Sequence, residues 1–127
     1  MSDKLEVGSI GWIDLTVLNA KQVRDFYSGV IGWKPENVPM GEYDDYNMTS
    51  PDSGTPSAGI CHKRGINAKL PSAWMAYFII EDMKESLGKV KKLGGKVIIE
   101  PKNMGEHGSI AVIEDPAGAV CALFEQA

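Results

Sequence analysis

The groups in this chain that could do chemistry are two histidines, two cysteines and a scatter of carboxylates. Histidine titrates near neutrality, so His62 and His107 are the default acid–base candidates. His62 closes a strand-like run beside a turn-rich linker, and His107 lies in the loop-like MGEHGS. For both, the plain alternative is an exposed strand end or surface loop. Cys61 and Cys121 form no Cys-x-x-Cys pair, which points to reduced, buried thiols in a cytosolic protein. Asp14 falls inside the apolar run SIGWIDLTV, where a buried carboxylate needs either a partner or a ligand. No Ser-His-Asp or Cys-His order emerges. The glycines form no GxGxxG or Walker pattern that would cradle a phosphate.

The elements that position these groups belong to one domain, residues 1–127, with 43% hydrophobic and 24% charged residues, an ordinary globular composition. Net charge is −4, and no basic cluster forms a nucleic-acid footprint. The five lysines in residues 84–96 fit a solvated helix face. The longest apolar run is the eight residues 73–80, whereas a membrane span needs about 20. The opening MSDKLEVGSI lacks the basic-then-apolar pattern of a signal peptide, so a cytoplasmic protein is expected.

The chain repeats once, at an offset of 63 residues. The first copy begins with a strand, residues 9–17. Asn19 and Gln22 then form a capping-box pattern. Val23, Phe26, Tyr27, Val30 and Ile31 make one apolar helical stripe, which Gly32 ends. The second copy has a strand at 73–80, Asp82 and Glu85 at the cap, the stripe Met83, Leu87 and Val90, and Gly94-Gly95 as the stop. Three strand-like runs follow each helix: 32–38, 42–50 and 57–62 in the first copy, and 96–100, 108–114 and 119–124 in the second. The expected fold class is α+β. Two βαβββ modules, about 7–62 and 72–125, are joined by a linker at 63–71. They form a curved eight-stranded mixed sheet around a cleft, with the helices outside.

A cleft lined from both modules is a natural site for a small organic molecule. Strand alternation sends Leu15 and Val17 to the helix and Trp12, Asp14 and Thr16 to the cleft. In the second module it offers Met75, Tyr77 and Ile79 to the cleft, and the last strand adds Val120, Ala122 and Phe124. Tyr46 and Met48 share a strand face whose direction the sequence leaves open. The expected ligand-binding set is Trp12, Asp14, Tyr46, Met48, His62, Met75, Tyr77 and Phe124: an aromatic and apolar lining with Asp14 and the Tyr77 hydroxyl as polar handles. No catalytic residue is assigned.

DFYSGVIGW at residues 25–33 and EDPAGA at 114–119 resemble the vicinal oxygen chelate superfamily of glyoxalases, bleomycin-resistance proteins and extradiol dioxygenases. YDDYNM and GGKVIIEPKNMGEHGSIAVIEDPAGA look most like its metal-free, glyoxalase-like mycobacterial-antigen type. The resemblance implies a homodimer. It also implies that metal-using members place ligands on the first and last strands of each module. Those positions fall at Trp12, at Met75, at Ala122 and near Ile60 or Cys61. Trp, Met and Ala give a divalent ion no hard donor, so no metal and no cofactor are expected. Three functions remain open: a metal-free binding protein or weakly specific enzyme, a metal-dependent lyase or dioxygenase with displaced ligands, and a regulatory module without a ligand. Displaced ligands would have to come from Asp14, Cys61, His62, His107 or Glu114.

Overall fold

The computed structural model describes residues 4–127. Strand β1 (Ile10–Val17) leads into helix α1 (Ala20–Ile31), followed by β2 (Lys34–Pro39), β3 (Asp44–Thr49) and β4 (Pro56–His62). The pattern then recurs as β5 (Trp74–Ile80), α2 (Met83–Lys92), β6 (Lys96–Asn103), β7 (Ser109–Glu114) and β8 (Val120–Glu125). The strands join one eight-stranded mixed sheet in the order β2-β3-β4-β1-β5-β8-β7-β6. The expected α+β fold with a repeated βαβββ order is present. No helix among the described residues is long and apolar enough to cross a membrane.

By packing, the chain divides into two compact units: residues 13–74, and residues 1–12 together with 75–127. The division cuts β1. The two residues just before it bond to β5, through Gly8 N–H to Ile79 O at 2.8 Å and Ile79 N–H to Ser9 O at 2.9 Å. Its later residues pair in parallel with β4. Trp12 therefore belongs with the second half of the sequence, and Trp74 with the first.

In the unit 13–74, Leu15, Val17, Tyr46, Met48 and Ile60 form a core with Ala20 of α1, and Val23, Tyr27, Trp33 and Trp74 pack around it. Trp74 Nε1–H donates to the Tyr27 hydroxyl at 3.1 Å, so a half-buried indole is anchored by its polar edge. The helix stripe differs from the expected one. Val23 and Tyr27 face the core, but Phe26 is 59% and Val30 66% exposed. The capping box is also absent: Asn19 Nδ2 donates to Gln22 Oε1 at 3.0 Å and makes no side-chain cap. That bond occupies the Gln22 oxygen that would have accepted the Asn19 backbone N–H. Gly32 ends α1 in the left-handed conformation, φ 91°, as expected.

In the other unit, Met83, Ala111, Ile113 and Leu123 are the buried core, with Phe78, Ile80, Leu87, Val90, Val97 and Cys121 around them. Here the cap forms, with Asp82 accepting from the Glu85 N–H at 3.0 Å. The sequence showed no sign of two short 3₁₀ turns, at Gly65–Lys69 and Gly105–His107. Beside the second, Gly108 has φ 100°, and a Cβ there would collide with the Glu125 carbonyl.

Two stability outcomes follow. Asp82→Ala should cost about 1 kcal/mol, the usual value of an N-cap side chain. Gly108→Ala should cost more, because it adds both a forbidden backbone angle and a clash. Denaturant midpoints at unchanged slope check the order, and a Gly108→Ala variant as stable as wild type would contradict it.

Candidate functional site

The strand ladders decide which side chains share a face. In the unit 13–74, the parallel register sets Asp14 beside Gly59, Leu15 beside Ile60 and Thr16 beside Cys61. Leu15 and Ile60 lie in the core under α1. Alternation then turns Asp14, Thr16 and Cys61 to the opposite face. β3 pairs Asn47 with Gly59 and so adds Asn47 there. This face is polar, where the sequence suggested an aromatic and apolar lining. Tyr46 and Met48, 6% and 0% exposed, lie in the core beneath α1, so the open question of their direction resolves towards the helix.

Cys61 occupies the middle of that polar face. Burial pushes its thiol pKa up strongly, and the nearby carboxylates of Asp14 and Asp45 add to the shift. The side chain of Asp45 also hydrogen-bonds with Cys61. A thiol held protonated in this way is a poor nucleophile and a poor metal ligand.

Asp45 ties this face to His62. Its Oδ1 accepts the His62 backbone N–H at 2.8 Å and lies 3.3 Å from His62 Nδ1. Both side chains are mostly buried, Asp45 at 12% and His62 at 23% exposure. The imidazole stands edge-on to two phenol rings, with centroids 5.4 Å away at Tyr43 and 5.9 Å away at Tyr46. Each tyrosine carries a guanidinium: Arg64 lies 3.9 Å from the Tyr43 centroid and Arg24 4.7 Å from the Tyr46 centroid. His62 is thus a framed side chain at the end of β4 rather than a freely rotating surface residue. The other histidine, His107, is exposed in the short 3₁₀ turn.

In the unit containing β5 to β8, the parallel register sets Tyr77 beside Ala122, Phe78 beside Leu123 and Ile79 beside Phe124. Phe78 and Leu123 pack on the α2 side. Tyr77, Ile79, Ala122 and Phe124 therefore take the other face, as alternation predicted. Within this apolar face Met75, Ile79 and Ala122 are buried, while Tyr77 and Phe124 are half-buried. Trp12, in the same unit, is also half-buried. On the helix side, a separate apolar hollow of 280 Å³ opens between α2 and the β7–β8 hairpin, lined by Val90, Leu93, Ile113, Pro116 and Leu123 among others.

The two registers also settle which residues correspond. Asp14 opposite Gly59 and Tyr77 opposite Ala122 repeat at the same 63-residue offset. The counterpart of Ala122 is thus Gly59, not Ile60 or Cys61. The four positions at which the resemblance places metal ligands are Trp12, Gly59, Met75 and Ala122, and none carries a nitrogen or oxygen donor suited to a divalent ion. Among the described residues, no three His, Cys, Asp or Glu side chains group so as to hold one. These side chains do not fit the centre used by metal-dependent members.

Sequence reasoning picked out His62 and Asp14 but missed Asp45, Tyr43 and the two arginines. The local signal was slight. Asp45 is one of two adjacent aspartates flanked by tyrosines, and only the hydrogen bonds in the folded chain show which of the pair reaches His62.

Known proteins agree with this architecture. The chain is 26% identical to CFP32 of Mycobacterium tuberculosis, provisionally labelled a glyoxylase, over 119 residues that cover 93% of this chain and 46% of that protein. It is 28% identical to the anthracycline biosynthesis protein DnrV of Streptomyces peucetius over 130 residues, 94% of this chain and 47% of DnrV. The chain thus spans about half the length of these curated relatives. Among solved structures, a methylmalonyl-CoA epimerase in complex with methylmalonyl-CoA and NH4+ superposes with a TM-score of 0.62 at 15% identity, covering 96% of both chains. At that identity the likeness concerns the fold alone. The profile of the Glyoxalase/Bleomycin resistance protein/Dioxygenase superfamily matches residues 9–123. With the profile spanning nearly all of a twice-repeated βαβββ chain, the protein belongs to that superfamily.

Proposed function

We propose that this protein binds a small organic molecule without the divalent ion used by metal-dependent members of its superfamily. What supports it is the shared register, Asp14 opposite Gly59 and Tyr77 opposite Ala122, taken with the resemblance that assigns the ligand positions to Trp12, Gly59, Met75 and Ala122. Ligand contact is assigned to the sheet face away from the helix in each unit. In the unit 13–74 this means Asp14, with Thr16 and Asn47 as neighbouring polar groups; His62, which pairs with the core residue Val17, lies on the helix side at the strand end. In the other unit it means the half-buried Trp12, Tyr77 and Phe124. Met75 contributes packing behind them, and Tyr46 and Met48 support the face from the core. The names of the relatives support the same class, since glyoxylase chemistry and anthracycline biosynthesis both handle small organic molecules. The protein is read as a cytoplasmic homodimer. Its two unpaired cysteines fit a reducing compartment, and the exposed Phe26, Val30 and Ile31 of α1 fit self-association.

A thermal-shift screen of aromatic and aliphatic compounds, run with and without EDTA, tests this reading. A ligand that binds only the folded state raises the melting temperature. At least one compound should do so equally in both arms. Shifts that vanish with chelator would favour the reading in which displaced side chains hold a metal, and no shift at all would favour a module without a ligand.

The proposal also excludes thiol chemistry. Because burial and the two neighbouring carboxylates raise the Cys61 pKa, it should resist iodoacetamide at pH 8 in the folded protein and react once the chain is unfolded. Mass spectrometry of the native protein showing rapid, selective labelling of Cys61 would contradict it.

A further inference from the structure

We propose that the apolar hollow between α2 and the β7–β8 hairpin is a second binding site, for a small, flat, uncharged aromatic molecule. It lies on the helix side of the sheet, so it stands apart from the face assigned above and does not rest on that assignment. The repeat explains why the space is there. α1 begins at Ala20 and α2 at Met83, again 63 residues apart. At that offset Val23 corresponds to Ser86, Tyr27 to Val90 and Trp33 to Lys96. In the unit 13–74, Val23, Tyr27 and Trp33 pack on the core, with the Tyr27 and Trp33 ring centroids 6.2 Å apart. In the other unit Ser86 and Val90 line the hollow, both smaller than their counterparts, and Lys96 is exposed. Where one copy packs aromatic rings, the other leaves a space of 280 Å³.

The hollow is held open by its own frame. Helix α2 stops at Lys92, and the Gly94-Gly95 pair that follows brings no side chain over the space. A Cβ at Gly95 would come 2.7 Å from the Glu114 carbonyl oxygen and 3.0 Å from Val90 Cγ1, so a side chain there has no room. The Gly95 N–H donates to Val90 O at 2.8 Å and fixes the helix end. Across from it, Asp115 Oδ1 accepts the Ala117 and Ala119 N–H groups at 2.8 and 3.0 Å and fixes the turn that carries Pro116. With both walls tied by hydrogen bonds, a ligand meets a preformed cavity at little ordering cost. The walls Val90, Leu93, Ile113, Pro116 and Leu123 give a charge no partner, so a charged ligand would lose its hydration there. The charged side chains of the lining have other places: Lys89 pairs with Glu85 at 3.3 Å, Asp115 holds the turn, and Glu114 follows Ile113 on β7 and so points to the opposite face. Ser86 brings one hydroxyl to the lining, which can meet a single N–H or O–H of the ligand. An apolar cavity of about 150 Å³ holds benzene, so this one has room for one ring or two fused rings.

The probe is indole, a neutral two-ring molecule with one N–H. In a methyl-detected NMR titration of the wild-type protein, the methyl signals of Val90, Leu93, Ile113 and Leu123 should shift saturably. Nuclear Overhauser contacts should join the indole ring protons to the same methyls. Val90→Phe sets a ring into the hollow and should weaken indole binding at least about tenfold, since burying a ring is worth that factor or more. Ser86→Val restores the residue type of the other copy and should weaken binding in the same direction. The wild-type contacts decide the matter where a variant fails to fold. No saturable shift, or a Val90→Phe protein that binds indole as tightly as wild type, would overturn the site. Shifts confined to Tyr77 and Phe124 would also overturn it, because they would put indole on the opposite face. So would shifts of the hollow's methyls that appear without indole as the protein is concentrated, because a second copy would then cover the space through the exposed Leu93.

Discussion

The parallel pairing of the first and last strands within each half is the constraint on which the rest depends. A strand has period two, so a slip of one residue would turn every side chain to the other face. Leu15 opposite Ile60 and Phe78 opposite Leu123 each place two apolar side chains under a helix. Burying a pair of that size stabilises by roughly 3–6 kcal/mol before entropy costs, which is ample to lock the register. With those pairs fixed, Asp14, Thr16 and Cys61 in one unit and Tyr77, Ile79 and Phe124 in the other have to face away from the helices. Neither half could turn a carboxylate or imidazole into a missing ligand position without exposing its core.

The two halves share this register but differ in the chemistry of their open faces. One shows carboxylates, a hydroxyl, an amide and a protonated thiol. The other shows methionine, tyrosine, isoleucine and phenylalanine. The positions that the resemblance assigns to metal ligands carry Trp12, Gly59, Met75 and Ala122, none with a donor suited to a divalent ion. Asp45 gives the polar face its second role. It bonds to Cys61 on the sheet face and, at the strand end, holds His62 by both backbone and ring. A carboxylate mostly withdrawn from water requires such partners, and here they are found within two adjacent residues.

Much of the fold was legible because it is written in local patterns. The alternation of IGWIDLTV, the Asp82 cap and the turn glycines each act over a few residues, and the structure realises them. The same holds for the assignment of Leu15 and Val17 to the helix side. The failures involve competition beyond that range. Asn19 had the right type and spacing for a cap, yet its side chain bonds to Gln22 instead. Phe26 and Val30 fit the helical stripe, but Val23 and Tyr27 fill the space over the core. The longer turn between β3 and β4 hid that Gly59 is the counterpart of Ala122. The His62 frame joins residues 16 to 22 positions apart, and no single-strand periodicity carries such a contact.

The central claim is that an organic ligand is held where no ion can be. Direct calorimetric titration of the protein, freed of any carried-over metal, with Zn²⁺, Ni²⁺, Mn²⁺ and Fe²⁺ tests it most directly. The account predicts no saturable one-to-one binding in the micromolar range for any of the four. A stoichiometric, tight isotherm that disappears in Asp14→Asn or His62→Gln would show a cation seated on this sheet after all, and would contradict the account at its root.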